Sequence, residues 1–152
     1  MQVVVAGKTT SDASKCSPFP PDPNSQQSTI NTVAREITDA GGEALALQVD
    51  VRDYENVEAL VKQTIEQFGR LDVLVYNSGA IWWSSVEKTP MKRFQLMQRV
   101  NPEGLYGAVQ ACLPQFYGNG EDGKGKGQIV VISPPIVSPE TMMPVVPSCR
   151  LC

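Results

Sequence analysis

Apolar residues in this chain cluster in two ways, as short, mostly apolar runs and as stretches in which they recur every three or four positions. The short runs are Val3–Ala6 (VVVA), Ala44–Val51 (ALALQVDV), Leu71–Asn77 (LDVLVYN) and Gln128–Ser133 (QIVVIS). Their length and β-branched content predict strands. The spaced stretches predict helices. Ile30, Val33, Ala34 and Ile37 lie on one helical face, with Ser28 as the expected N-cap and Gly41-Gly42 as the stop. Val57, Leu60, Val61, Ile65 and Phe68 form a second face, opened by Asp53 and ended by Gly69. Thr89 as N-cap and Pro90 in the first turn open a third helix reaching about Phe116. Pro18, Pro20, Pro21 and Pro23 make Thr9–Ser28 an exposed loop, because proline has no N–H to donate.

The predicted order is β-α-β-α-β-α-β. None of the strands alternates cleanly, so each is expected to be buried on both faces, within a parallel sheet between helix layers. With right-handed crossovers this is an α/β, Rossmann-like architecture. At 152 residues it is one domain, residues 1–135 with a proline-rich loop at 9–28, followed by an irregular tail at 136–152.

Composition narrows the chemistry. The chain has 13 basic and 16 acidic residues, net −3, which gives no electrostatic footprint for nucleic acid. No run is long enough for a membrane helix. The start, MQVVVAGKTT, lacks the basic and long apolar regions of a secretory signal, so the expected setting is cytoplasmic or another intracellular compartment. The terminal Arg150-Leu151-Cys152 differs from the peroxisomal Ser-Lys-Leu address. Histidine is absent, which removes His-based triads and His metal sites. Cys16, Cys112, Cys149 and Cys152 include one terminal CxxC with no second pair at zinc spacing, so they read as reduced thiols and no metal is expected.

Gly118–Gly123 matches G-x-G-x-x-G, and Gly118–Lys124 matches G-x-x-x-x-G-K. Both motifs hold phosphate only where a strand enters the loop and a helix leaves it. Here a helix enters and a strand leaves, and Gly125 stands where a hydroxyl is needed for magnesium. A solvated turn is the expected reading.

A further set of motifs comes in a telling order: Ala6-Gly7-Lys8 after the first run, Asp50-Val51 after the second, Tyr76-Asn77-Ser78-Gly79 after the third, Val100-Asn101 inside the long helix, and Ile132-Ser133-Pro134-Pro135 after the last. Together they resemble the short-chain dehydrogenase/reductase superfamily, and within it the hydroxysteroid dehydrogenase-like branch. The resemblance implies an NADP-dependent oxidoreductase of a carbonyl or alcohol substrate. In it Lys8 would meet the adenosine 2′-phosphate, Asp50 the adenine amino group, and Val51 the adenine ring. Asn77 and Gly79 would line the nicotinamide ribose. Asn101 would support a proton relay, and Ser133 would stand at or beside the substrate-polarising serine. The same residues also fit plainer roles: Lys8 as a solvated charge, Asp50 as a turn cap, Asn77 and Gly79 as turn-formers, Ser133 as a strand end. Pro102 biases Asn101 away from helical dihedrals.

Two family features are not found among these residues. No TGxxxGxG turn follows Val3–Ala6, so the first run matches the family's second strand. None of Tyr54, Tyr76, Tyr106 and Tyr117 has lysine four places on, so the Tyr-x-x-x-Lys pair is missing. In the family's strand order 3-2-1-4-5-6 the unmatched first strand is central, which would leave two strand edges unpaired or force them together. The expectation is therefore a chain with little or no activity by itself. The other reading is a non-enzymatic fragment that pairs with a full-length relative through open strand edges, as part of a homo- or hetero-oligomer.

Overall fold

The computed structural model describes residues 1–118 and 126–133. Four strands and four α-helices follow one another as β1 (Gln2–Gly7), α1 (Ile30–Asp39), β2 (Glu43–Gln48), α2 (Tyr54–Phe68), β3 (Val73–Tyr76), α3 (Met91–Gln98), α4 (Gly104–Gly118) and β4 (Gln128–Val131). All pairing is parallel, which confirms the α/β, Rossmann-like class. The Gly118–Lys124 motif match and the 136–152 tail lie, but for Gly118, outside the described residues.

Among the described residues the sheet is in two pieces. β1 pairs with β2, from Gln2 opposite Glu43 to Gly7 opposite Gln48. β3 pairs with β4, from Val73 opposite Gln128 to Tyr76 opposite Val131. Neither β1 nor β3 has a described partner on its other side. Of the two outcomes expected for an unfilled centre, open edges rather than direct pairing is the one observed.

The helices bridge the two pieces. α1 packs on β1 and β2, α2 on β1, and α4 on both α2 and β3. Gly7 allows α1 to come close, since a Cβ there would lie 2.9 Å from Cγ2 of Ile30. Val49, Val57, Tyr76 and Ala108 are buried together, and Val61, Cys112 and Phe116 continue the core. Each position follows from the helical spacing of α2 and α4 and from the strand ends above them.

The expectation of strands buried on both faces fails: no residue of β1 or β2 is fully buried, and the second piece is more open still. Leu74 and Tyr76 face the α2–α4 layer, whereas Val75 is 58% exposed and Val73, Val130 and Ile132 are exposed beside it. No described helix covers that face, so the apolar run reflects strand chemistry without a second layer above it.

Boundaries shift where local hydrogen bonds decide them. α1 is capped by Thr29, not Ser28: the backbone N–H of Thr29 donates to Oγ1 of Thr32 at 2.9 Å within a capping box. Pro90 itself is the cap of α3, while Thr89 closes a short 3-10 turn and donates to the Ser85 carbonyl at 2.8 Å. β2 stops at Gln48, three residues short of Val51, and β3 and β4 are four residues each. The 9–28 segment is not merely an exposed loop. It holds a 3-10 turn at Ala13–Lys15, Arg35 stacks over Phe19 at 3.9 Å, and Arg35 Nη1 donates to the Ala13 carbonyl at 2.8 Å.

The long third helix is split. Residues Arg99–Glu103 form a π-turn between α3 and α4. Pro102 cannot donate to the carbonyl four residues back, and the wider turn accommodates that loss.

Candidate functional site

In a parallel sheet all strands end on one side, and ligands bind there. Lys8 follows β1, Asp50 and Val51 follow β2, Asn77 and Gly79 follow β3, and Ser133 follows β4. The N–H of Ile132 donates to the Tyr76 carbonyl at 2.9 Å, so Asn77 and Ser133 are the next residues along two paired strands. The sequence-derived residues therefore share one edge of the fold. They do not converge on one point: Lys8, Asp50 and Arg52 form one group, and Asn77, Gly79, Ala80 and Asn101 form another.

In the first group the Asp50 carboxylate is already engaged. Arg52 grips it with both arms, through Nε to Oδ1 at 2.8 Å and Nη2 to Oδ2, while the Arg52 backbone N–H donates to Oδ1 at 3.1 Å. Nζ of Lys8 stands 3.4 Å from Oδ2. The Arg52 hydrogen bonds, helped by Lys8 and opposed by partial burial, hold the Asp50 carboxyl far below the usual carboxylate range. Asp50 also closes a turn, with its carbonyl accepting from the Asp53 N–H at 3.0 Å. Neither the adenine-binding nor the turn-capping role of Asp50 includes Arg52, which the structure places on its carboxylate. Its position two residues after an Asp, before a helix cap, is a signal that could have flagged it.

In the second group Asn101 holds the loop that follows β3. Its Oδ1 accepts from the Ala80 N–H at 2.8 Å and its Nδ2 donates to the Ala80 carbonyl at 3.1 Å. Gly79 lies alongside, where a Cβ would come 3.9 Å from the same Oδ1. Asn77 and Gly79 are exposed, and so is Ser133. The Asn101 side chain thus orders the loop that carries Asn77 and Gly79.

Tyr76 fixes the other side of the π-turn. Its hydroxyl donates to the Val100 carbonyl, which the π-turn has left without its α-helical donor: the Gly104 N–H goes to Arg99 and Asn101 instead. Burial pushes the Tyr76 phenol up from its ordinary value. A Cβ on Gly104 would sit 2.5 Å from that hydroxyl, so the glycine lets the ring pass. Val51 packs against the same core, and its carbonyl lies beside Gly104.

An open groove of about 810 Å³ runs along the outside of α3, lined by Arg52, Lys92, Arg93, Phe94, Leu96 and Arg99 among others. Of the strand-end groups it touches only Arg52. Among the described residues no cluster of His, Cys, Asp or Glu could hold a metal ion. No helix of the described residues is long and apolar enough to cross a membrane. Cys112 is buried in the core and its thiol is pushed up to about 11 by burial, so it is no nucleophile at neutral pH.

Comparison with known proteins defines the class. The family model for short chain dehydrogenase matches residues 24–144. Hydroxysteroid dehydrogenase-like protein 2 of Mus musculus is 38% identical over 135 residues, 88% of this chain and 24% of that protein. A putative dehydrogenase from Xanthomonas campestris superposes with a TM-score of 0.70 at 36% identity, over 88% of this chain and 44% of that one. An alcohol dehydrogenase from Thermococcus sibiricus, solved in complex with 5-hydroxy-NADP, gives a TM-score of 0.59 at 28% identity, over 67% of this chain and 41% of that one. The chain belongs to the short-chain dehydrogenase/reductase superfamily, an oxidoreductase family whose members generally bind NAD(P). It spans about a quarter of the length of the curated relatives it matches.

Proposed function

We propose that these residues form part of an NADP-type oxidoreductase for a small carbonyl or alcohol substrate, and that the 152 residues by themselves have little or no activity. The observation that carries the cofactor reading is Lys8 at the end of β1, beside Asp50 and Arg52. Two cations share one carboxylate there, leaving a net positive charge where an adenosine 2′-phosphate would lie. The 5-hydroxy-NADP in the Thermococcus sibiricus enzyme supports the same choice. Asp50 and Val51 would take the adenine, Asn77 and Gly79 the nicotinamide side, and Asn101 would act by holding their loop.

The fit to a whole dinucleotide is incomplete. Between β1 and β3 no described backbone offers the row of N–H groups a pyrophosphate needs. No tyrosine here carries the lysine that would lower its pKa for proton transfer. These residues are therefore assigned no hydride or proton-transfer step, and Ser133 is kept as a group at the substrate end of β4.

The adenosine end can be tested by itself. In amide NMR titrations, adenosine 2′,5′-bisphosphate should shift Lys8, Asp50 and Arg52 at millimolar concentration, and 5′-AMP should do so far less. Equal responses to the two nucleotides would remove the case for NADP.

A further inference from the structure

We infer that residues 81–99 form a docking surface for an anionic phospholipid bilayer, which they touch at the headgroup level without crossing it. Charge comes first. Outside this stretch the described lysines and arginines, Lys126 apart, are each ion-paired to a carboxylate. Lys88, Lys92, Arg93 and Arg99 have no such partner among the described residues. Arg93 stacks over Trp82 at 4.5 Å, and Arg99 Nη2 donates to the Arg52 carbonyl at 3.2 Å. Those contacts fix the two side chains and leave their charge uncancelled. Glu87 is the one carboxylate in the stretch. A chain of net charge −3 thus gathers most of its described uncancelled cations in one place.

Apolar chemistry lies in the same stretch. Ile81, Trp82, Trp83, Val86, Met91 and Phe94 are all exposed, Trp83 at 73% and Phe94 at 47%. α3 carries no buried residue, and among the described elements its main packing is against the π-turn that follows it. Residues 91–95 are exposed in succession, so the helix opens with no side turned to the core. Large apolar side chains gathered on a surface mark a place where something covers them.

The mixture of side chains favours lipid as the cover. Tryptophan settles at the boundary of water and acyl chains, where its ring is apolar and its N–H stays wet. Lysine and arginine beside it bury their stems and hold their charge at the phosphate level. An acidic protein partner would meet the cations too. It would have to supply shaped pockets for two adjacent indoles, whereas a fluid lipid surface admits them without matching shape. This inference does not rest on the cofactor reading.

Trp82 and Trp83 are the only two tryptophans, so the emission of the 152-residue chain reports on this surface alone. Vesicles of about 30% phosphatidylserine in phosphatidylcholine should shift that emission to the blue and carry the protein into the vesicle pellet. Pure phosphatidylcholine should bind at least about tenfold more weakly. Each cation near an anionic surface strengthens binding about fivefold, so Lys88→Gln combined with Lys92→Gln should weaken it about 30-fold. Salt at about 0.5 M should weaken binding of the native chain in the same direction, a reading that needs no substitution. Soluble polyglutamate should give no blue shift, because it offers no apolar layer. An equal blue shift with polyglutamate would make an acidic polypeptide the occupant and overturn the proposal. So would equal binding to neutral vesicles, no binding to charged ones, indifference to salt, or a folded double variant that binds like the native chain. None of these readings involves Lys8, Asp50 or nucleotide, so the NADP assignment stands or falls separately.

Discussion

The side-chain amide of Asn101 closes on both backbone groups of Ala80, accepting from its N–H at 2.8 Å and donating to its carbonyl at 3.1 Å. One residue of the π-turn thereby satisfies both backbone groups of the loop residue Ala80. Asn101 makes both bonds from within the π-turn, one residue before Pro102. Replacing Asn101 with Ala removes two hydrogen bonds at a half-buried site, so urea denaturation should show a loss of about 1–3 kcal/mol. The loop bearing Asn77 and Gly79 should exchange its amides faster in that variant.

Tyr76 and Gly104 form a matched pair. Tyr76→Phe leaves the Val100 carbonyl without its hydroxyl donor and should cost about 1–2 kcal/mol. Gly104→Ala forces a methyl against the Tyr76 hydroxyl and toward the carbonyls of Val51 and Arg99, at 3.2 and 3.3 Å. It should destabilise more than Tyr76→Phe does. In the double variant the alanine should be better tolerated, and a double-mutant cycle measures that coupling.

Asp50 makes stability depend on acid. Its folded-state pKa is depressed by Arg52 first and Lys8 after it, so its contribution is complete above the unfolded value of about 3.9. That contribution is lost as pH falls below this value toward the folded one. Thermal melts from pH 5 down to pH 2 should therefore show a steeper decline for the native chain than for Asp50→Asn. Parallel curves would remove Asp50 as the source.

Cys112 should resist alkylation in the folded protein and react fully in denaturant, because burial both hides the thiol and raises its pKa to about 11. Peptide mapping after iodoacetamide treatment at pH 8 reads this directly. Rapid native labelling at Cys112 would mean that the α2–α4 layer opens.

Much of the frame was legible in the residues. Val57, Val61 and Phe68 announced α2 by spacing, Gly69 its end at φ 76°, and Asp53 its start through a bond to the Glu55 N–H. Features that arise between distant segments were not legible. The Val75 side chain looks like any buried strand residue in the sequence, yet no described helix covers it. Arg35 holds the proline-rich segment from 22 residues away, and nothing local marks that contact. The candidate site divides the same way. Its residue positions followed from motif order, whereas the Arg52–Asp50–Lys8 grouping and the Asn101–Ala80 clamp depended on how loops close. Pro102 hinted at the π-turn, but the partner of Val100 could be found only once Tyr76 was placed.

In the proposed function the described residues supply the flanks of a dinucleotide site, and no described backbone between β1 and β3 would cradle its pyrophosphate. Fluorescence titration of the 152-residue chain with NADPH tests it most directly. No saturable change at micromolar concentration is the predicted result, and tight, saturable binding would contradict it.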